Sequence, residues 1–204
     1  MAGTREGMLK AWDTRGRSQE TETGEQDTIS DLMTNGLKKE EAEKCVQDVK
    51  AYTVTTFVAI NGNLRTDTIG NEATESATKS MDTFLEKAPK MQVAELYRGV
   101  PASISNNLEI GKVYTDKGFM STSADKDVTF DMMDEDGLLM VIKKPKNAVS
   151  VDHISGCGGQ KEAIMPRNSR FRITGFSQLG KHRVVEMVQL EKPKVDARGN
   201  YVYK

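Results

Sequence analysis

The apolar residues change their period once along the chain. After the charged lead Lys38-Lys39-Glu40-Glu41, Ala42, Cys45, Val46 and Val49 fall three and four apart, the spacing that gathers side chains on one face of a helix. An amphipathic helix is therefore expected from Leu37. Residues 51–60 (Ala-Tyr-Thr-Val-Thr-Thr-Phe-Val-Ala-Ile) hold enough β-branched positions to suit a strand. Tyr52, Phe57, Ile60 and Leu64 also suit helical faces, and we read a helix with a break near Asn61-Gly62. A further helix is predicted from Asn71 to Lys87, with Ala77, Met81, Phe84 and Leu85 inward.

After Pro89 the pattern shortens to strands and turns. Residues 94–100, 112–115, 118–123, 137–143, 148–151, 162–166, 171–176 and 182–190 read as strands, with one short helix over 124–133. Helices first and strands second predict an α+β fold: N-terminal helices followed by a mostly antiparallel two-sheet β-sandwich. Residues 1–26 are polar and charged and are expected to form a disordered arm. Its one apolar knot, Leu9-Lys10-Ala11-Trp12, is either a docking helix for a partner or a sticky turn in a loose tail. Residues 27–192 make one domain, and 193–204 a tail that either adds an edge strand at Tyr201-Val202-Tyr203 or frays. No internal repeat is visible.

Composition narrows the partners. In 204 residues, 29 basic side chains face 30 acidic ones, a net charge of −1, so no bulk attraction to nucleic acid or to a membrane surface is expected. No basic start leads into an apolar signal core, and no run approaches the roughly 18 apolar residues of a membrane span. We expect a soluble protein made without an ordinary secretion signal. Cys45 lies in a helical pattern and Cys157 in a glycine turn; the pair allows a disulfide that nothing supports, and metal-ligand spacing is missing. The eleven methionines suit core filling.

The chemistry gathers around Gly158-Gly159-Gln160-Lys161-Glu162. If this stretch is extended, the two-residue strand period sends Gln160 and Glu162 to one face and Lys161 to the other, so an amide and a carboxylate share a cleft. A Gln-x-Glu triplet is common, and its weight comes from two stretches upstream: Leu96-Tyr97-Arg98-Gly99 on the first strand and Phe119-Met120-Ser121-Thr122-Ser123 on a middle one. In this order the three resemble the arginine, Ser-Thr-Ser and acidic-turn signature of the toxin-like mono-ADP-ribosyltransferases. Tyr52-Thr53, Phe57 and Ile60-Asn61-Gly62-Asn63-Leu64-Arg65 are similar to a helical segment of the same clan, so the resemblance runs from about Leu37 to Leu190.

That resemblance implies NAD as substrate, cleavage at the nicotinamide–ribose bond, and transfer of ADP-ribose to a macromolecular acceptor, a host protein or a nucleic acid. Arg98 would contact NAD, since a guanidinium makes paired, charge-assisted bonds to phosphate oxygens. Gly99 would let the backbone approach the ligand. Arg65 and Asn61 would also hold NAD, Phe130 would pack on nicotinamide, and Thr122 and Ser123 would knit the pocket wall to the next loop. Glu162 would stabilise the developing ribosyl cation, as carboxylates do in glycosidases, with Ser121 holding it. No metal is implied.

Gln160 bears on the acceptor. Members that modify arginine carry a glutamate there, whereas Gln-x-Glu members include the clostridial exoenzymes that modify an asparagine of Rho GTPases and enzymes that modify guanine. Asparagine, another neutral side chain, or guanine is therefore favoured over arginine. Cys157 stands where the clostridial exoenzymes have an aromatic residue, and the glycines leave the turn free to order on a docked target. The lack of an ordinary secretion signal suggests an effector delivered by another machine, or a product resembling phage-encoded ADP-ribosyltransferases. It would act in the cytoplasm of the producing or target cell, or ride on a virion. NAD glycohydrolysis and a non-enzymatic virion or binding module remain alternatives. His153 and His182 lie outside the signature and are read as structural or surface residues. Lys161 and Arg167 are read as solvated, with Arg167 a candidate for the acceptor rim.

Overall fold

The computed structural model describes residues 17–191, 194–195 and 201–202. Helix α1 spans Arg17–Thr34, so the expected disordered arm is corrected from residue 17 onward. Its polar sequence hid it because burial is concentrated at Thr28, Ile29 and Leu32, in its last turns. Lys50 Nζ pairs with Glu25 at 2.5 Å, and Thr28 Oγ1 bonds His153 Nε2 at 2.9 Å, so α1 is fastened to the next helix and to a later loop. The Leu9–Trp12 knot lies outside the described residues.

Helix α2, Lys39–Ala51, buries Ala42, Cys45, Val46 and Val49 as the spacing predicts. It runs through a π-helical turn, Tyr52–Thr56, into α3, Phe57–Thr66. The break expected at Asn61-Gly62 does not occur. Asn61 sends its amide across to the sheet instead of folding it back on its own chain, and the helix stops at Asp67, which takes the left-handed conformation with φ 53°. Helix α4, Glu72–Lys87, is capped by Asn71, whose side chain accepts from Thr74 N at 2.9 Å, and it buries Met81, Phe84 and Leu85.

Eight strands follow: β1 Glu95–Val100, β2 Val113–Asp116, β3 Met120–Ser123, β4 Leu138–Lys143, β5 Val149–Ser150, β6 Glu162–Met165, β7 Ser169–Leu179 and β8 His182–Gln189. A 3-10 turn, Ala102–Asn107, follows β1, and helix α5, Lys126–Met132, follows β3. The strand order is β2-β7-β8-β4-β1-β3-β6-β5, with only β4 and β8 parallel. β1 pairs with β4 along its whole length but with β3 through the single pair Tyr97↔Ser123. The expected two-sheet sandwich is thus two leaves, of five and three strands, joined in one hydrogen-bonded sheet. Leu96, Met140, Phe171 and Val185 of the larger leaf pack with Met120, Ala163 and Met165 of the smaller. On the smaller leaf's other face, Phe119, Val151 and Ile164 meet Tyr52, Ile60 and Phe84 of the helical layer. Near the C-terminus, β9 (Lys194–Val195) and β10 (Tyr201–Val202) pair with each other as a separate ribbon, so the expected edge strand does not join the main sheet.

Candidate active site

Glu162 opens β6, opposite Ser123 of β3. Strand alternation sends Ala163 and Met165 between the leaves and leaves Glu162 and Ile164 facing the helices. The extended Gln160–Glu162 geometry expected from the triplet is not what forms. Gly159 has φ +87° and Lys161 φ +48°, so the chain kinks just before the strand, and the two side chains are set by a turn instead of by strand alternation.

Glu162 is 7% exposed. Burial pushes its pKa up; hydrogen bonds from Ser155 and then Ser121 oppose this, and the charge of Asp152 adds to the rise. Ser155 Oγ donates to Glu162 Oε2 at 3.1 Å. Ser121 also reaches the Tyr52 hydroxyl, whose pKa burial raises and whose other partners are Asn61 Nδ2 at 2.9 Å and the Phe119 carbonyl at 3.3 Å. Arg98 stands beside this chain of hydroxyls, with Nη1 donating to the Ser121 carbonyl at 2.7 Å. Its Nε is buried and lacks a hydrogen-bond partner among the described residues. A buried guanidinium Nε–H without a partner, near a tyrosine hydroxyl that a carboxylate also neighbours, suits an anionic ligand that carries a sugar, as NAD does.

Arg65 stands at the crevice edge, its Nε and Nη2 bonded to Asp116 at 3.0 and 2.9 Å and its side chain 41% exposed. It shares with Arg98 the neighbourhood of Tyr52 and Tyr114, so two guanidiniums stand beside the same pair of tyrosines. Asn61, expected to hold NAD, is instead only 6% exposed: Oδ1 accepts from Phe119 N at 2.9 Å, and Nδ2 donates to the Phe119 carbonyl at 3.2 Å as well as to Tyr52. Its amide fastens α3 to β3. Gly118 makes room for both groups, since a Cβ there would stand 2.7 Å from Asn61 Oδ1 and 3.2 Å from Arg65 Nη2.

Three other expected residues are placed elsewhere. Thr122 donates to the Ala163 carbonyl at 2.7 Å and is buried, so its hydroxyl ties strand to strand. A Cβ on Gly99 would lie 2.8 Å from Met133 Cγ, so a packed methionine explains that glycine. Phe130 clusters with Tyr97, Leu139 and Met133, with its ring 5.2 Å from that of His182, on the face of β1 opposite Arg98. Its ring is thus packed against the side chains of that face, away from the Arg98 side of the strand.

The turn before Glu162 is built, not loose. Ile154 and Ser155 are buried, Gly156 N donates to Thr53 Oγ1 at 3.1 Å, and a Cβ on Gly156 would overlap Val54. The turn therefore rests on the π-helical segment, an irregularity frequent at functional sites. Gln160 is pinned through its backbone: N donates to Asp152 Oδ1 at 2.9 Å and its carbonyl accepts from Ser123 Oγ at 2.7 Å. Its side chain stays partly exposed at the rim. Lys161 pairs with Asp125 at 2.8 Å and Arg167 with Asp82 at 2.8 Å, so neither is simply solvated. Cys45 and Cys157 form no disulfide among the described residues, and burial pushes the Cys45 thiol up to about 11. Among the described residues no group of His, Cys, Asp or Glu could hold a metal ion, and no helix is long and apolar enough to cross a membrane. Ser155, Asp152 and Asp116 escaped the sequence reading, because none sits at strand or helix spacing from a signature residue.

Comparison with known proteins agrees with this geometry. The model of the ADP-ribosyltransferase exoenzyme family matches residues 26–196. The chain is 30% identical over 119 residues to Tre1 of Serratia proteamaculans (strain 568), named as an NAD(+)-protein-arginine ADP-ribosyltransferase, covering 57% of this chain and 25% of Tre1. It thus spans a quarter of that curated relative's length. In fold it is similar to the ADP-ribosyltransferase Vis of Vibrio splendidus (TM-score 0.66, 19% identity, 93% of this chain and 90% of Vis). It is also similar to the C3 exoenzyme of Clostridium limosum (TM-score 0.64, 18% identity, 84% and 95%). With the family model matched across nearly the whole described chain, and with the buried Glu162, Ser121 and Arg98 joined through neighbouring hydrogen bonds, the chain belongs to the ADP-ribosyltransferase exoenzyme family.

Proposed function

We propose that the chain transfers ADP-ribose from NAD to a neutral nitrogen acceptor, an asparagine-type amide or guanine, in preference to arginine. The observation that carries the NAD half is the buried Glu162 carboxylate, linked through Ser121 to Tyr52 and to Arg98. Arg98 and Arg65 attract the pyrophosphate. The bond from ribose C1′ to the nicotinamide nitrogen breaks, and its electron pair leaves with nicotinamide. Glu162 offsets the positive charge that develops on the ribose, where a carboxylate already held by hydrogen bonds needs no reorganisation. The acceptor nitrogen then bonds C1′ from the open side and releases one proton.

Gln160 supports the acceptor half. At the rim, with its backbone held by Asp152 and Ser123, it offers an amide that can both donate and accept but cannot take a proton from guanidinium. Arginine is the second reading, favoured by the similarity to Tre1, whose name specifies protein arginine. Incubation with labelled NAD and host extract, followed by mass spectrometry of the modified atom, separates the two. Label on an amide or guanine is expected, and label on arginine overturns the acceptor assignment. Release of only free ADP-ribose and nicotinamide would make the protein a glycohydrolase. Gln160→Glu is expected to redirect transfer toward arginine while part of NAD cleavage persists; unchanged acceptor choice counts against Gln160 as the selector.

A further inference from the structure

We propose that Ser155 is a positioning residue for Glu162, its hydroxyl holding the carboxylate in its working orientation only while the turn before β6 is folded onto the π-helical segment. Ser155 stands seven residues before Glu162 and is 5% exposed. Its Oγ donates to Glu162 Oε2 at 3.1 Å and accepts from Cys157 N at 3.1 Å. Its own N–H donates to the Val151 carbonyl at 2.7 Å, and the next residue, Gly156, donates to Thr53 Oγ1. One hydroxyl therefore accepts a hydrogen bond from the acceptor-side turn and donates one to the carboxylate. If the turn lifts from Thr53, Ser155 leaves with it and Glu162 loses a donor. Ser121 approaches from β3, a different element, so the carboxylate is held from both sides of the crevice. The other titratable or charged groups around it are Tyr52 of the π-helical turn, Arg98 of β1, Asp152 of the loop after β5, and Lys161, paired with Asp125.

A donor to a carboxylate favours its charged form, so removing Ser155's hydroxyl moves the Glu162 midpoint upward. This inference rests on Glu162's role in transfer, and its test separates the two. The Glu162 carboxyl is titrated by 13C NMR in the full chain, its signal assigned by loss in Glu162→Gln, and the pH profile of kcat for NAD cleavage is measured in parallel. Ser155→Ala is expected to raise the midpoint by about one pH unit and to lower kcat at pH 7 about tenfold or more, since a hydrogen bond to a charged group carries that magnitude. KM for NAD should change less than about threefold, because Ser155 acts through Glu162 and not on the phosphates. Ser155→Thr, which keeps the donor, restores both values. A midpoint and an acid limb left where the wild type has them overturn the proposal. If Ser155→Ala does not fold, Ser155→Cys, of similar volume and with only a weak donor, is judged by the same criteria. If the wild type cleaves no NAD, the transfer reading fails, while the NMR midpoint still decides Ser155.

Discussion

Replacing Asn61 with alanine distinguishes a residue that holds the ligand from one that holds the site. Family resemblance assigns Asn61 to NAD; in the structure its amide is committed to the Phe119 N–H, the Phe119 carbonyl and the Tyr52 hydroxyl. Asn61→Ala leaves the Phe119 N–H buried without an acceptor, which costs about 1–3 kcal/mol. The hydrogen bond lost to Tyr52 adds about 1 kcal/mol, whereas the Phe119 carbonyl keeps the Tyr52 hydroxyl as a donor. The expected loss is about 3 kcal/mol. With a urea dependence of about 2 kcal/mol per molar, the unfolding midpoint should fall by about 1.5 M. NAD cleavage should decline through kcat as Tyr52 and Ser121 lose their fixed positions, with KM moving less. Equilibrium urea unfolding by tryptophan-independent circular dichroism, with steady-state cleavage under conditions where the variant is folded, makes the comparison. An unchanged midpoint with a many-fold higher KM would refute the fastening role and return Asn61 to the ligand.

Two further substitutions follow from the same site. Glu162→Gln should lower NAD cleavage by about a hundredfold or more, the scale of a lost electrostatic stabiliser, and should raise stability at neutral pH. Because burial raises the folded pKa of Glu162 above the ordinary 4.5, its contribution to stability is complete below that value and is lost as pH rises through the folded value. Melting curves of the two proteins should therefore converge below about pH 4.5 and separate above it; a variant less stable than wild type at pH 7 contradicts the burial account. Gly156→Ala should push the turn off Val54 and reduce transfer about tenfold, as small displacements near the chemistry do, and Val54→Ala should recover much of the loss in the double variant. Additive losses, measured as kcat over KM in a double-mutant cycle, would show that the overlap is not what positions the turn.

Elements defined by a steady period were legible before the structure. Helices α2 and α4 carry their buried residues at three-and-four spacing, and each strand of the main sheet was marked by short apolar runs between turns. Helix α1 was not, because among its described side chains only Thr28, Ile29 and Leu32 are buried, and its sequence reads like a solvated arm. The leaf geometry was equally hidden: it depends on β1 meeting β3 at one pair, a property of pairing that no single strand's pattern contains. Within the site, Arg98, Ser121 and Glu162 were recognisable as residue types in sequence order, and the structure brings all three to the crevice. The packing of Phe130 was not legible because which side of β1 it reaches depends on the path of α5, nor was that of Gly99, because its neighbour, Met133, comes from the chain beyond that helix.

The kink at Lys161 explains why the triplet could be right in its residues and wrong in its geometry. A lysine at φ +48° lies in a region that side chains other than glycine enter at some cost, and nothing in Gln-Lys-Glu announces it. The turn is held there by tertiary bonds: Lys161 Nζ to Asp125, the Ala124 N–H to the Lys161 carbonyl, and the Gln160 N–H to Asp152. The same region contains a π-helical turn, a buried carboxylate with a raised pKa and a guanidinium Nε without a partner among the described residues. Each opposes stability, and together they lie around one crevice, whereas the inter-leaf core and the helical core obey their patterns. Local rules are broken where the chain must present charge and an adjustable backbone to a substrate, so the exceptions locate the site more sharply than the motifs do. Lys161 and Ser155 belong with Glu162 for that reason: one sets the entry to the strand, the other holds the carboxylate that begins it.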